Sequence, residues 1–295
     1  MKTIDLHVHL GDIFCGHPPS FHRRTKSRFA HWLPRLNESL SFYPLHHSLL
    51  RKLESPRRTW DFIKDCIGVS DVRELSQSLD KTEIERACVL ALEPNVKTDW
   101  VIAQAREEPR IIPIFSIHPR DQRMRDKVKE YVQKGGRGLK LHPIIQGFSP
   151  QSKEVFDLIE EIKPYQLPVI CHTGCFSIPH LEKRKEQGDI ENFIPLMREF
   201  PQVPFVMCHM NLLEPEKAIS VAKRFGNVYL ETSWQTPRNI RRAMSAVGSV
   251  RIVFGSDWPY AFQSASIAAV KRACRRDSSL QNILWNNAKR LLRLT

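Results

Sequence analysis

The stretch Thr3-Ile4-Asp5-Leu6-His7-Val8-His9 predicts the first β-strand of this 295-residue chain, and the rest of the sequence is interpreted from it. Apolar and polar side chains alternate along it, as they do in a strand whose two faces have different surroundings. Because His7 and His9 are two residues apart, both imidazoles should project from one face, and Asp5 should join them. A His-x-His pair alone is more often incidental than a metal site, so its interpretation depends on the later strands.

Seven further β-branched runs follow, with helical stretches between them. They cover residues 86–92, 111–116, 138–142, 168–172, 203–209, 227–232 and 250–257. Alternating strands and helices predict a parallel sheet, and eight such units predict closure into a (β/α)8 TIM barrel. A doubly wound sheet is disfavoured because no G-x-G-x-x-G follows the first strand. We therefore expect a single α/β barrel domain over residues 1–295.

Sequence signals at helix ends support this alternation. The Ser-Pro pair at 149–150 predicts a helix that runs to about Lys163. The Gly-Asp pair at 188–189 predicts another, and Pro215 begins one that should end near Gly226.

Residues 11–69 do not fit the alternation. This stretch is basic, rich in aromatic residues and interrupted by prolines, and it follows the first strand directly. In a barrel it would emerge at the carboxyl end of the strands, above any active site. We interpret it as a partly helical lid or cap inserted after strand 1.

The composition is that of a soluble globular protein, with 41% hydrophobic and 26% charged residues. The sequence has no apolar run of the ~20 residues that a membrane helix needs, and its first residues lack the apolar core of a signal peptide, so we expect a cytoplasmic location. The seven cysteines form no repeated C-x-x-C pair. Cys171 and Cys208 each precede a histidine, and alternation should turn them away from it into the core.

The formal net charge of +13 raises the question of a nucleic-acid partner. Residues 11–58 contribute nine Lys and Arg against three acids, a net of +6, and the remainder is spread along amphipathic helices. The sequence contains no RNA-binding signature and no glycine-rich phosphate loop. We therefore expect a small anionic substrate as partner rather than nucleic acid or a membrane. A homo-oligomer is left open.

Residues able to bind metal lie at or near the carboxyl ends of five predicted strands. They are His7 with His9, Lys140 with His142, His172, His209 and Asp257. In a parallel barrel these ends meet at one rim. Each residue alone has an ordinary structural interpretation, but buried imidazoles beside a carboxylate are costly without a partner, and a divalent cation supplies one. The sequence therefore predicts a metal site.

Other residues are placed on the rim loops by position alone and could line a substrate pocket. They are His118, Arg120, His142, Ser233, Trp234, Trp258 and Tyr260.

The same motifs give the chain a resemblance to a known group of enzymes. They are D-x-H-x-H on strand one, G-x-K-x-H-P on strand four, H-T-G after strand five, a histidine after strand six and G-S-D-x-P on strand eight. This set resembles the amidohydrolase superfamily and is most similar to its amidohydrolase 2 branch, which includes decarboxylases, hydratases and lactone hydrolases of carboxylated substrates. The ending at 287–292 also resembles that branch's closing helix. The resemblance covers nearly the whole chain except residues 11–69.

The resemblance implies a metal-dependent hydrolase that attacks an amide, lactone or other ester with a metal-activated water. One divalent ion would be held by His7, His9, His172 and Asp257, with zinc favoured by the nitrogen-rich set and manganese as the alternative. Asp257 would also act as the general base. His209 would polarise the substrate oxygen or bind a second metal.

Lys140 determines whether the resemblance implies one ion or two. In binuclear members of the superfamily a lysine on strand four is carboxylated by carbon dioxide and bridges the metals. This chain has the complete binuclear set of His7, His9, Lys140, His172, His209 and Asp257. Many single-metal relatives carry similar strands, and Lys140 would there bind a substrate carboxylate or a structural acid.

Three other functions stay open. A metal-dependent decarboxylase or hydratase would use the same ligands, and the fold does not decide between these chemistries. A TatD-like nuclease would suit the basic charge, but that family carries a glutamate on strand four where this chain has Lys140. The third is a non-catalytic barrel that binds RNA or anions through residues 11–58.

Overall fold

Eight parallel strands form the core of the computed structural model, which describes residues 1–17, 60, 63–64, 66–175 and 181–294. The strands are β1 (Ile4–Val8), β2 (Arg86–Leu90), β3 (Ile111–Ser116), β4 (Leu139–Leu141), β5 (Val169–Cys171), β6 (Phe205–Met207), β7 (Val228–Glu231) and β8 (Ile252–Val253). Each strand pairs in parallel with the next. Backbone hydrogen bonds from Leu6 to Phe254, at 2.9 Å, and from His9 to Trp258, at 2.7 Å, join the last strand region to the first. The predicted TIM barrel is confirmed.

Helices separate the strands along the chain. The α-helices are α1 (Val72–Thr82), α2 (Thr98–Glu107), α3 (Met124–Gln133), α4 (Pro143–Gln146), α5 (Lys153–Ile162), α6 (Ile194–Glu199), α7 (Pro215–Arg224), α8 (Pro237–Val247), α9 (Gln263–Ala273), α10 (Asp277–Gln281) and α11 (Asn287–Leu291). A π-helical turn, Asn282–Asn286, connects the last two. Helix α7 begins at the predicted proline, and α5 begins three residues after Pro150.

Several strands are shorter than the β-branched runs from which they were predicted. β6 ends at Met207 because His209, Met210 and Asn211 have φ angles of 60°, 43° and 63°. These values lie in the left-handed region, which no strand can adopt. β8 ends at Val253, four residues before Asp257, whose φ of 67° also lies in the left-handed region. The backbone therefore turns at the point where the predicted site residues begin.

Apolar side chains pack on both surfaces of the barrel wall. An outer layer lies between the sheet and the helices, and a smaller inner layer, which includes Leu6 and Ile114, fills the barrel interior. Leu292 at the C-terminal end of the chain belongs to the inner layer. The ammonium of Lys2, just before β1, lies 5.3 Å from the Trp285 ring centre, which places the C-terminal helical segment at the amino end of the barrel. That end is closed by apolar packing.

Most of the predicted lid, residues 11–69, lies outside the described residues, and it stays a prediction. The ends of this segment are described and contact each other. The backbone N–H of Gly11 donates to the Ser70 carbonyl at 2.8 Å, and Ser70 Oγ donates to the Gly11 carbonyl at 3.2 Å. The segment therefore leaves and rejoins the barrel at one place, next to β1.

Within the described part of the chain, no helix is both long enough and apolar enough to cross a membrane.

Candidate metal centre

The carboxyl end of β1 brings two imidazoles together with a carboxylate from the turn after β8. His7 Nε2 lies 3.0 Å from His9 Nε2. Asp257 Oδ1 lies 3.3 Å from the first of these nitrogens and 3.4 Å from the second. The other carboxylate oxygen accepts a hydrogen bond from the indole of Trp234 at 2.7 Å. Three buried ligand atoms thus face one another, with the carboxylate oriented from its far side.

Asp5 does not join this group, and the prediction from strict alternation was wrong. The register of β1 against β2 shifts between Asp5 and Val8, so the strand is irregular around His7. The Asp5 carboxylate instead accepts hydrogen bonds from Ser256 Oγ at 2.6 Å and from Gln263 Nε2 on α9 at 2.8 Å. It therefore holds the turn that carries Asp257.

Glu231, the last residue of β7, connects the strand-one histidine with the residue that follows β6. Its Oε2 lies 3.1 Å from His7 Nδ1 and accepts a hydrogen bond from Ser233 Oγ at 2.7 Å. Ser233 Oγ in turn lies 2.6 Å from His209 Nδ1. The backbone N–H of His209 donates to the same Glu231 oxygen at 3.1 Å. One buried carboxylate thus contacts side chains or backbone from two separate parts of the rim.

His172, directly after β5, extends the imidazole cluster. Its ring centre lies 5.0 Å from that of His209. On its other side it stacks on His142, with ring centres 3.9 Å apart and planes 7° from parallel. His142 also caps α4, because its Nδ1 accepts a hydrogen bond from the backbone of Ile145 at 3.4 Å. His142 therefore both caps α4 and belongs to the imidazole cluster.

Lys140, on β4, is fully buried in the barrel interior. Its Nζ lies 3.5 Å from Cys208 Sγ, and among the described residues no carboxylate forms an ion pair with it. Cys208 is a buried core residue, as predicted, but it is not turned away from the cluster that His209 joins. It lies in the inner layer with Val206, two residues earlier, and the left-handed backbone that begins at His209 turns that histidine out of the strand alternation. Cys171 does lie in the outer layer. The cluster thus contains a buried lysine whose Nζ lies beside a thiol.

Burial controls the charge of the imidazoles. It lowers the pKa of His7, His9 and His209 well below the ordinary value, and the nearby positive charge of Lys140 lowers each further. For His172, burial lowers the pKa to about 3. All four rings are therefore neutral at pH 7, which is the form that binds a metal ion.

The two central carboxyl groups are affected in the opposite direction. Burial raises the pKa of Asp257 to about 8, although the Trp234 hydrogen bond opposes this shift. Burial also raises the pKa of Glu231 to about 7, against the hydrogen bonds from Ser233. Burial thus disfavours the negative charge of both carboxyl groups. A cation bound beside them would lower their pKa values and favour the carboxylate form.

The donor set fits a divalent cation. Nitrogen and oxygen donors lie about 2.0–2.2 Å from such an ion, so neighbouring donors are about 3.0–3.4 Å apart at octahedral or tetrahedral angles. The atoms of His7, His9 and Asp257 are separated by 3.0, 3.3 and 3.4 Å. His209 also offers a ligand atom within 4.8 Å of those of His7 and Asp257. All six predicted ligands, the four histidines with Lys140 and Asp257, lie in this one buried cluster.

Backbone strain coincides with the cluster. His209, Trp234 and Asp257 have φ angles of 60°, 60° and 67°. Non-glycine residues seldom adopt these angles, and they concentrate where a side chain has to be held in a required direction. Each of the three residues contacts the cluster through a hydrogen bond or ion pair.

The remaining rim residues divide into two groups. Tyr260 is buried, and its ring centre lies 6.0 Å from that of His9, so it borders the cluster, as Trp234 does. His118 is engaged elsewhere, with its Nε2 3.0 Å from the Gln146 carbonyl. Arg120 forms an exposed ion pair with Glu154 at 3.6 Å.

Sequence reasoning missed Glu231. A signal was present, because an acidic residue ends a strand of a parallel barrel and therefore lies at the same rim as the histidines. Its role could not be assigned without the contacts, since only the structure brings Ser233 and His7 to the same oxygen.

The fold and this cluster define the class of protein, a TIM barrel with candidate metal ligands at the carboxyl ends of its strands. Residues 4–294 match the family model described as amidohydrolase, so the chain belongs to the amidohydrolase family. The resemblance identified in the sequence is confirmed.

Solved structures share the whole barrel at low sequence identity. A 5-carboxyvanillate decarboxylase from Sphingomonas paucimobilis is 15% identical with a TM-score of 0.69, covering 100% of this chain and 99% of its own. A dihydroxybenzoic acid decarboxylase from Polaromonas sp. JS666, with bound manganese and the inhibitor 2-nitroresorcinol, is 14% identical with a TM-score of 0.69, covering 99% and 97%.

A third solved structure is described as a hydrolase. It is a probable 2-pyrone-4,6-dicarboxylic acid hydrolase from Acinetobacter baumannii with citric acid bound, 15% identical with a TM-score of 0.61, covering 100% of both chains. No curated protein sequence matches this chain.

Proposed function

We propose that this chain is a metal-dependent hydrolase that acts on a small anionic organic substrate, an amide, a lactone or another ester, through a metal-activated water. The observation that carries the proposal is the convergence of Asp257 Oδ1 on the Nε2 atoms of His7 and His9 at 3.3 and 3.4 Å. Membership of the amidohydrolase family supports it.

The ligands of the proposed site are His7, His9, His172 and Asp257, with His209 and Lys140 available to a second ion. When bound, a divalent cation supplies Lewis acidity and lowers the pKa of a water towards neutrality. Zinc is proposed first because the donors are mainly imidazole nitrogens, and manganese is the alternative because a structural neighbour holds it.

Asp257 is proposed as the general base and His209 as the group that polarises the substrate oxygen. The Trp234 indole holds one oxygen of Asp257, so the other stays directed at the ligand nitrogens, where it can take the proton of the attacking water. His209 is fixed through Nδ1 by Ser233, which leaves its Nε2 to face the substrate or an ion. Both residues are buried, so proton transfer occurs away from bulk solvent.

Carboxylation of Lys140 is proposed for the two-metal form of the site. An unmodified ammonium at this position would repel two cations, whereas a carbamate formed by carbon dioxide on Nζ would bridge them. The burial of Lys140, without an ion pair to any described carboxylate, supports this role. Intact-protein mass spectrometry under native conditions should show an increment of one carbon dioxide, and peptide mapping of fresh protein should locate it on Lys140.

A metal-dependent decarboxylase is the second candidate, because two of the three neighbours above are decarboxylases and superpose with the higher TM-scores. Their substrates and that of the hydrolase neighbour are carboxylates by name, which supports an anionic substrate for this chain as well. A hydratase would use the same ligands. A nuclease and a non-catalytic anion-binding barrel gain no support from these neighbours.

The test is turnover of a defined panel by metal-loaded protein and by protein treated with a chelator. The panel contains carboxylated lactones, amides and aromatic carboxylic acids. Hydrolysis is detected as proton release with lactone or amide consumption, and decarboxylation as carbon dioxide release. Metal-dependent hydrolysis is the expected result. Carbon dioxide release without hydrolysis would show a metal-dependent decarboxylase instead of a hydrolase. Equal turnover after complete metal removal would contradict both metal-dependent activities.

The cytoplasmic location and the expectation of a small anionic substrate rather than nucleic acid remain predictions from the sequence, and the oligomeric state stays open.

A further inference from the structure

We propose that Glu231 is a positioning residue that fixes the ring orientation and the proton position of two candidate ligands, His7 and His209. The inference rests on the proposed metal site. Its basis is the single oxygen of Glu231 that contacts His7 Nδ1 directly at 3.1 Å and His209 through Ser233.

For His7 the consequence is direct. In the ionised form, which a cation at the site favours, the Glu231 carboxylate accepts hydrogen bonds and does not donate them, so the 3.1 Å contact then requires the proton of the neutral ring to be on Nδ1. The lone pair is then on Nε2, the nitrogen that faces His9 and Asp257. Glu231 therefore directs the coordinating atom of His7 toward the centre of the cluster.

For His209 the same result is reached through Ser233. The Ser233 hydroxyl donates its one proton to Glu231 at 2.7 Å, so toward His209 Nδ1 it can only accept. His209 must then carry its proton on Nδ1 and present a free lone pair on Nε2. Glu231 also accepts a hydrogen bond from the backbone N–H of His209 at 3.1 Å. This bond stabilises the left-handed backbone of His209, which sets the direction of its side chain.

The carboxylate of Glu231 satisfies all of these contacts, because both of its oxygens accept hydrogen bonds. Its oxygens accept from the His7 ring, the Ser233 hydroxyl and two backbone N–H groups, those of His209 and Ser233. A glutamine would replace one acceptor by a donor. The space is also specific, because a Cβ at Gly255 would lie 2.5 Å from Glu231 Oε1 and 2.8 Å from His7 Cβ. The glycine of the G-S-D motif thus leaves room for this carboxylate.

The experiment is titration of metal-free full-length protein with Co²⁺, followed by its visible absorption spectrum. Glu231→Gln should weaken Co²⁺ binding by about 10–100-fold and alter the spectrum, as expected when a group that orients a ligand is lost. Ser233→Ala should weaken binding less, by about 10-fold, because it disturbs His209 alone. Ser70→Ala is the matched control, since it removes an equally buried hydroxyl that bonds the backbone of Ile67 and Gly11.

Wild-type Co²⁺ affinity and an unchanged spectrum in both site variants would overturn the inference while leaving the metal site in place. If Glu231→Gln does not fold, as judged by circular dichroism, Ser233→Ala decides, because it retains the buried carboxylate. Weakening by Ser70→Ala to the same extent would also overturn it, since the effect would then be one of general stability. Failure of the wild-type protein to bind any Co²⁺ would instead refute the proposed function on which the inference rests.

Discussion

The two ends of the barrel are closed by side chains of opposite kinds. At the amino end, Leu292 enters the apolar interior, and Arg110 just before β3 pairs with Glu108 at 2.7 Å and Asp80 at 2.6 Å. At the carboxyl end, Asp257 and Glu231 are buried among neutral imidazoles. Carboxylates thus pair directly with an arginine at one end, whereas at the other end Asp257 and Glu231 form no direct ion pair with a lysine or arginine of the described residues.

This difference indicates that the amino end of the barrel contributes mainly to stability and the carboxyl end mainly to function. Paired, partly exposed charges and apolar packing lower the free energy of the folded state. Buried carboxyl groups whose pKa values rise to about 8 and about 7 destabilise it, and folds retain such groups where binding requires them. In TIM barrels generally, the amino end serves stability and the carboxyl end carries the active site. The predictions below test this division.

The largest effect is expected at the carboxyl end. Asp257→Asn should reduce turnover by at least about 10²–10⁴-fold, because the general base is lost together with an anionic ligand. The asparagine retains the shape and can still accept from Trp234, so the thermal unfolding midpoint should change little. Steady-state kinetics measure the turnover of the variant, and thermal unfolding followed by circular dichroism measures its unfolding midpoint. Turnover retained at the wild-type rate would remove Asp257 from the mechanism.

At the amino end, Leu292→Ala should give the reverse pattern. The side chain is fully buried, and its truncation should lower the free energy of unfolding by about 2–5 kcal/mol. The ligands are at the other end of the barrel, so metal affinity of the folded variant should equal that of wild type. Denaturant unfolding and metal titration of one preparation test both statements. If Leu292→Ala lowered metal affinity without lowering stability, the assignment of stability to the amino end and of metal binding to the carboxyl end would be wrong.

The smallest effect concerns Glu108. The hydrogen bonds from Arg110 lower its pKa to about 2, from an ordinary value of 4.5. Because the folded-state pKa is the lower one, the stabilisation is complete above about pH 4.5 and is lost as the pH falls through about 2. Glu108→Gln should therefore reduce stability by about 1 kcal/mol at pH 7, and the difference from wild type should shrink in acid. Denaturant midpoints at pH 7 and pH 3 measure it, and a pH-independent difference would contradict the ion-pair explanation.

The sequence predicted the fold well, because strand order and helix alternation are local patterns repeated eight times along the chain. It also predicted which residues meet at the rim, since parallel strands place their carboxyl ends together. It failed where the backbone is irregular. Asp5 faces α9 rather than His7 because β1 shifts register between Asp5 and Val8, and Cys208 is near the cluster that His209 joins because the chain turns left-handed at His209. Glu231 was missed because its role depends on contacts between separate strands.

Metal analysis of the purified full-length protein is the decisive test of the proposed metal site. Wild-type protein should bind one or two equivalents of a divalent ion, zinc or manganese, after reconstitution, and a His7→Ala, His9→Ala double variant that remains folded should lose this binding. Two equivalents accompanied by carboxylated Lys140 would establish the bridged form, and one equivalent the single-metal form. If wild-type protein binds no divalent ion, even after incubation with either metal, the proposed metal site does not exist.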